Sequence, residues 1–248
     1  MDYAKYWASA VATADLGEPI NQSLRFTGAG RLVSADTKPS GDYTLSFWWK
    51  RADDPTGSAT DAFFTFTPNG GYVFVENSGI RVKDGGTLSV ITDGDLRDYS
   101  AWYHICIISE SGTSRCYVNG VKQSNTGSEP TGGAVMCIGS NQIASQDDAF
   151  VGYLAEFNLL DGTVVGDTND ILDEFGKYNG DGVWVPKKIS FTAAQYGAKG
   201  FRLVFDSSAN GGIGDDSAPT GTGHTAANDF TATGFDTADV ALYSSGLA

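Results

Sequence analysis

Between residues 43 and 51 the chain reads YTLSFWWKR, with Leu45, Phe47 and Trp49 at alternate positions and Thr44, Ser46, Trp48 and Lys50 between them. A period of two belongs to an extended strand, whose successive side chains point to opposite faces. This segment is therefore expected to bury one face and wet the other. The same texture begins at SLRFTGAGRLV and continues through AFFTFT, GYVFVEN, GIRVKD, TLSVIT, AWYHICIIS, SRCYVNGVKQ, AVMCIGS and AFVGYLAEFNLL, with Gly, Pro, Asp and Asn clusters between the runs. Many short strands at such spacing predict a sandwich or jelly roll. Within SRCYVNGVKQ, Asn119-Gly120 predicts a two-residue hairpin turn, because both central positions of a type I′ turn need positive φ. Tyr117 and Lys122 then become cross-strand neighbours.

The flanks read differently. At the start, Tyr3, Tyr6 or Trp7, and Ala10 or Val11 recur at three- and four-residue intervals, which predicts a short amphipathic helix or an arm lying on a neighbour. Tyr3, Tyr6 and Trp7 are its candidate partner-docking side chains. After residue 162 the spacing predicts one helical turn around Ile171 to Phe175, a stop at Pro186 and one late strand in GFRLVFD. The stretch SSANGGIGDDSAPTGTGHTAANDFTATGF is rich in Gly, Ser and Thr and predicts loops ordered only by packing on something else. The organisation expected is an arm or short helix over 1–21, a sandwich over 22–162, and over 163–248 a linker, one late strand and a Gly-rich extension packing on the sandwich or on a partner.

Composition narrows the function. In 248 residues, 16 basic side chains face 30 acidic ones, a formal net charge of −14. That balance repels phosphate backbones and anionic head groups, so nucleic acid and membrane surfaces are not expected partners. The opening MDYAKYWASAVATAD has no basic, then apolar, signal pattern, and no apolar run reaches the ~18 residues of a membrane span. Synthesis as a soluble cytoplasmic product is expected. Cys106, Cys116 and Cys137 sit at no metal-ligand spacing and are expected as buried reduced thiols, with a Cys106–Cys116 cross-strand disulfide as the alternative.

Catalytic patterns are thin. Glu156 in FVGYLAEFNLLDG shares a strand face with Leu154, Asn158 and Leu160 and is expected to be a solvated rim carboxylate. A glycosidase needs two carboxyl groups within ~5–9.5 Å, and Asp161, five residues on, would lie ~17 Å away on the opposite face. His104 reads as a sheet residue and His224 falls in the Gly-rich tail, neither with a nucleophile motif beside it. No cofactor is expected. Asp147 and Asp148, or Asp215 and Asp216, are loop acids able to offer oxygen to calcium, without EF-hand spacing. Trp48, Tyr72 and Phe74 project from the polar sides of their strands and are the candidate glycan-stacking rings, unless a second layer, a loop or a partner covers them.

The segments SLRFTGAG, YTLSFWWKR, AWYHICII, CYVNGVKQ, MCIGS and FVGYLAEFNLLDG, in that order, resemble the concanavalin A-like sandwich family and, within it, laminin G-like modules. The resemblance implies an all-β jelly roll of two antiparallel sheets. The continuation, FGKYNGDGVWVPKK, YGAKGFRLVFD, DDS and NDFTATGF, is similar to structural proteins of tailed bacteriophages, especially marine and cyanobacterial ones. It implies a non-enzymatic virion component displayed on the particle surface, a capsid decoration bound to the major capsid protein, with a tail receptor-binding protein for host polysaccharide as the alternative. A homo-oligomer is compatible with either. The E-x-D-x-x-E strand of related glycosidases is not matched by any segment, and a polysaccharide-degrading enzyme is the third reading.

Overall fold

The computed structural model describes residues 20–34, 39, 41–52, 60–67, 70–130, 132, 135–141, 148–167, 169–206, 212–236 and 238–242. Two antiparallel sheets dominate. The first is built on β1 (Gln22–Thr27), β3 (Tyr43–Arg51), β8 (Trp102–Glu110), β9 (Thr113–Val118), β10 (Val121–Ser128), β12 (Val151–Asp161), β15 (Phe201–Leu203) and β17 (Val240–Leu242). Its order is β10-β9-β8-β3-β12-β1-β17, with β15 paired to the far half of β12. The second holds β2 (Arg31–Ser34), β4 (Asp61–Thr67), β5 (Tyr72–Glu76), β6 (Gly79–Asp84), β7 (Thr87–Val90), β11 (Val135–Ile138) and β16 (Phe230–Thr233), in the order β16-β2-β11-β4-β5-β6-β7.

The period-two patterns place the core. Leu45, Phe47 and Trp49 of β3, Ile105 and Ile107 of β8, and Leu24 and Phe26 of β1 meet Phe64, Phe66, Val73, Val75, Ile80 and Val82 of the opposite sheet, all essentially inaccessible to water. Aromatic rings pack within and between the layers: Phe47 lies tilted on Phe63 of the opposite sheet at 5.1 Å and stacks on Phe157 of the neighbouring strand at 4.8 Å. Burying such side chains contributes ~1.5–3 kcal/mol each, which makes the face pattern the main instruction for the fold. The hairpin turn forms with φ 49° at Asn119 and 79° at Gly120. Tyr117 pairs with Lys122 across it.

Four sequence expectations need correction. β3 does not wet one face: every residue from Tyr43 to Trp49 is buried. The outer side of the first sheet lies under a third layer from the segment after residue 162, where Val165, Leu172, Phe175 and Tyr196 pack on Cys106, Ile108, Tyr117 and Leu160. A hairpin of β13 (Gly176–Tyr178) and β14 (Trp184–Pro186) completes that layer. The helical turn expected at Ile171 to Phe175 is absent: Ile171 bridges Val121 instead, and the described helix is α1 (Ala193–Tyr196).

The third correction concerns the tail. It supplies β16 to the second sheet, beside β2, and β17 to the first, beside β1. Its loops are organised by side chains: Asp216, with no exposed side-chain surface, accepts N–H groups from Arg202, Ala218 and Asn228 at 2.8, 2.9 and 2.9 Å. His224, expected in a loose segment, is wholly buried, with Nδ1 2.9 Å from the Gly197 carbonyl and Nε2 3.1 Å from Asp216 Oδ2. A run poor in apolar residues is thus ordered by buried charge-assisted hydrogen bonds. Among the described residues no helix is long and apolar enough to cross a membrane.

Candidate functional site

The fourth correction creates the site. β12 carries a bulge between Ala155 and Asn158 in its pairing with β3, and Glu156 takes up the extra residue at φ 46°. A bulge switches the face on which later residues fall. Leu154 therefore shares the core with Phe157 and Leu159, whereas Leu160 packs under the third layer. Asn158 fastens the bulge by donating from Nδ2 to the Glu156 carbonyl at 2.9 Å and accepting the Tyr196 hydroxyl at 3.0 Å. Glu156 is pushed outward, but not into open water.

Opposite Asn158 in the register stands Arg202 of β15. Its guanidinium grips Glu156 with two hydrogen bonds, Nε to Oε2 and Nη2 to Oε1, both 2.9 Å. Side-chain exposure is 13% for Glu156 and 28% for Arg202, so the expected wet and unpaired carboxylate is paired and largely covered. Burial works against the Arg202 cation, and the hydrogen bonds and charge of Glu156 more than offset it, holding the guanidinium charged with a raised pKa.

This pair lies at a cavity of about 180 Å³ between the first sheet and the third layer. Trp48, Glu156 and Arg202 line it from the sheet side; Phe175 and the run Pro186 to Ile189 line it from the cover, with Ile20 beside them. Lys187 Nζ is held by the Asp173 carbonyl at 2.9 Å, and Lys188 is exposed. The lining thus alternates apolar surface with fixed charge, the composition of a site for a small polar ligand.

The ring candidates are not brought together. Trp48 is 3% exposed, packed with Ile20, Ala155 and Trp184 and lying 5.1 Å from His104, so it forms a wall and offers no open ring face. Phe74 is 1% exposed, and Tyr72 is half-buried with Lys83 Nζ 5.3 Å from its ring centroid. Val73 and Val75 point into the core, so Tyr72 and Phe74 face outward on the second sheet, away from Trp48. One stacking platform from these three cannot form. The second-layer alternative weighed from sequence applies to Trp48: a third layer covers it.

Tyr3, Tyr6, Trp7 and Asp147 lie outside the described residues. Asp148 accepts from Asn141 Nδ2, and Asp216 is committed to backbone N–H groups. Among the described residues no three His, Cys, Asp or Glu side chains gather as metal ligands. His104 shares a 2.9 Å hydrogen bond with Ser46 Oγ, but both are sealed beneath Trp48 and the cover, and loss of water pulls the histidine pKa down to about 3. A Ser–His contact without access is structural. Among the described residues that line the cavity Glu156 is the one acid, and it is held in its ion pair with Arg202.

Lys187, Lys188, Ile189 and Arg202 are among the site residues that sequence reasoning passes over, with Ile20, Phe175 and Pro186. Their local signal is faint: Pro-Lys-Lys-Ile after a strand, and an arginine inside a short strand. The bulge that brings Glu156 to Arg202 has no glycine to announce it.

A family model described as the concanavalin A-like lectin/glucanases superfamily matches residues 26–167, more than half of the chain. Among solved structures, a protein from Bacteroides ovatus proposed to bind carbohydrate is similar over 88% of this chain and 61% of its own, at 14% identity and a TM-score of 0.50. A heptameric SAP-like pentraxin from Limulus polyphemus is similar over 68% of this chain and 94% of its own, at 16% identity and a TM-score of 0.42. The LG4-5 domains of mouse laminin alpha1 are similar over 60% and 44%, at 10% identity and a TM-score of 0.43. No curated protein matches the sequence. With the matched segment running from β1 through β12 of a two-sheet antiparallel sandwich, the chain belongs to the concanavalin A-like lectin/glucanases superfamily.

Proposed function

We propose that the chain is a non-catalytic glycan-binding module that takes one sugar unit into the cavity between Trp48, Arg202 and the Lys187–Ile189 edge. The observation that carries this reading is the cavity itself, whose lining mixes hydrogen-bonding charge from Glu156, Arg202 and Lys187 with apolar surface from Trp48, Ile20, Phe175 and Ile189. Sugars present both kinds of surface, hydroxyl groups around the ring edge and C–H groups on its faces. Membership of a superfamily described by lectins and glucanases supports the class of ligand. The bidentate pairing of Glu156 with Arg202 supports binding over hydrolysis.

The test is a glycan array read with the parent protein and with Ile189→Arg, which fills the mouth of the cavity from a half-buried position. Selective binding that disappears in the variant, with an unchanged melting temperature, is expected. Binding that survives the substitution removes this cavity from the proposal. Release of reducing ends from a bound polysaccharide would replace the module with an enzyme.

The finer proposal is that the module is displayed on a bacteriophage particle, as a capsid decoration or as a tail component contacting host polysaccharide. Its support is the sequence resemblance carried by FGKYNGDGVWVPKK, YGAKGFRLVFD and NDFTATGF. Mass spectrometry of purified particles tests it by stoichiometry: hundreds of copies per particle indicate the head, about a dozen the tail, and none overturns the virion role.

A further inference from the structure

We infer that the sugar unit held at this cavity is anionic, bearing a carboxylate or a sulfate ester; the inference rests on the glycan-binding reading above. It begins from a reversal of charge. The chain carries 16 basic and 30 acidic residues, yet among the described residues the cavity is lined by three cations, Lys187, Lys188 and Arg202, and one anion, Glu156. A sample of this chain's charged surface taken at random would run the other way.

The four charges are not equivalent. Glu156 and Arg202 neutralise one another through their two hydrogen bonds. Lys187 is tethered to Asp173, through the carbonyl at 2.9 Å and the carboxylate at 3.7 Å. Lys188 is exposed at the rim, and among the described residues nothing forms a hydrogen bond or ion pair with it. The local balance is positive, and Lys188 is the cation still free to meet a ligand. The low-dielectric walls supplied by Trp48, Phe175 and Ile20 strengthen its field inside the cavity.

The remainder of the molecule limits what kind of anion can enter. A net charge of −14 repels a long, densely charged polymer laid across the surface. A single anionic group, inserted into a cavity of about 180 Å³, avoids most of that repulsion. The geometry therefore favours a terminal or widely spaced acidic residue of a glycan, its charge toward Lys188 and its C–H face toward Ile189 and Ile20.

Isothermal titration with methyl β-glucuronide, glucose 6-sulfate, methyl β-glucoside and inorganic sulfate tests the inference. The glucuronide or the sulfated sugar is expected to bind at least about tenfold more tightly than the neutral glucoside, and to weaken as salt rises from about 0.02 to 0.5 M. Which of the two binds identifies the anionic group. Lys188→Gln is expected to lower that affinity about threefold and Lys188→Glu to lower it further, with unchanged melting temperatures, because the side chain is exposed. Equal binding of glucoside and glucuronide, insensitive to Lys188→Glu, overturns the anionic ligand and leaves the glycan reading standing. Inorganic sulfate binding as well as the sugars overturns it too, because the site is then an anion site and not a sugar site. A protein that binds none of these probes and no glycan on the array overturns both readings.

Discussion

Arg202 and Glu156 face one another along two hydrogen bonds of 2.9 Å, joining a three-residue strand late in the chain to the bulge of the longest strand. The pair fixes the wall of the candidate site and clamps β15 to β12 together. Removing one member leaves the other charge largely covered and unpartnered, which costs more than the pair itself contributes. Glu156→Gln is expected to lower stability in urea by ~1–3 kcal/mol. The double variant Glu156→Gln/Arg202→Gln is expected to be less destabilised than the sum of the two single variants, with a coupling of ~1–2 kcal/mol. Strict additivity would mean that the two side chains do not act as a unit.

Asp216 holds the tail in place. Its oxygens accept three backbone N–H groups from Arg202, Ala218 and Asn228, and none of its side chain reaches solvent. Asp216→Asn keeps the shape but turns an NH₂ group toward one of these donors, and the expected loss is ~2–4 kcal/mol. Hydrogen exchange should quicken at the amides of Arg202, Ala218 and Asn228 before the core strands respond. Uniform exchange across the molecule would contradict a local role.

His104 predicts acid sensitivity. Burial pulls its pKa from 6.5 to about 3, so the folded protein keeps the ring neutral while the unfolded chain takes up a proton near 6.5. This contribution to stability is whole above about pH 6.5 and is lost as pH falls toward 3, at about 1.4 kcal/mol per unit. Between about pH 7 and 5 the parent should lose roughly 2 kcal/mol that His104→Gln does not lose. Parallel pH profiles for the two proteins would show that the ring titrates normally in the fold.

The thiols predict resistance to oxidation. Cys116 pairs with Ile107 and Cys106 with Tyr117, so neighbouring strands carry the two sulfurs on opposite faces, Cys116 in the main core and Cys106 under the third layer. No Cys106–Cys116 disulfide is expected under oxidants, and mass spectrometry should find three free thiols. Burial raises all three pKa values, Cys137 to about 12. The stability gained by keeping them protonated is whole below about pH 9 and is lost as pH rises toward the folded values. Thiol labelling at neutral pH should therefore proceed only as fast as the protein unfolds.

Gly120 couples the hairpin turn to the cover. At φ 79° it needs no side chain, and a Cβ there would overlap the six-membered ring of Trp184. Gly120→Ala is expected to cost ~1–3 kcal/mol, as backbone strain and overpacking combine. Intact stability would place Trp184 away from the turn.

Period-two alternation in YTLSFWWKR, AWYHICIIS and GYVFVEN, together with Asn119-Gly120, carried the two-sheet core, its strand faces and one turn, because each is a local choice repeated every second residue. The chain could not announce from sequence which apparently polar faces would stay wet. Trp48, Thr44 and Ser46 read as a solvent side until segments more than a hundred residues later return to cover them, Thr163 and Val165 at Thr44 and Trp184 at Trp48. The bulge at Glu156 was hidden for a related reason: a residue with an ordinary side chain holds φ 46° only because Asn158, Tyr196 and Arg202 surround it. Core and strands follow from short-range periodicity, which is written in neighbouring residues. The third layer, the ordered tail and the charged cavity follow from contacts between distant segments, and those exist only once the sandwich has brought the segments together.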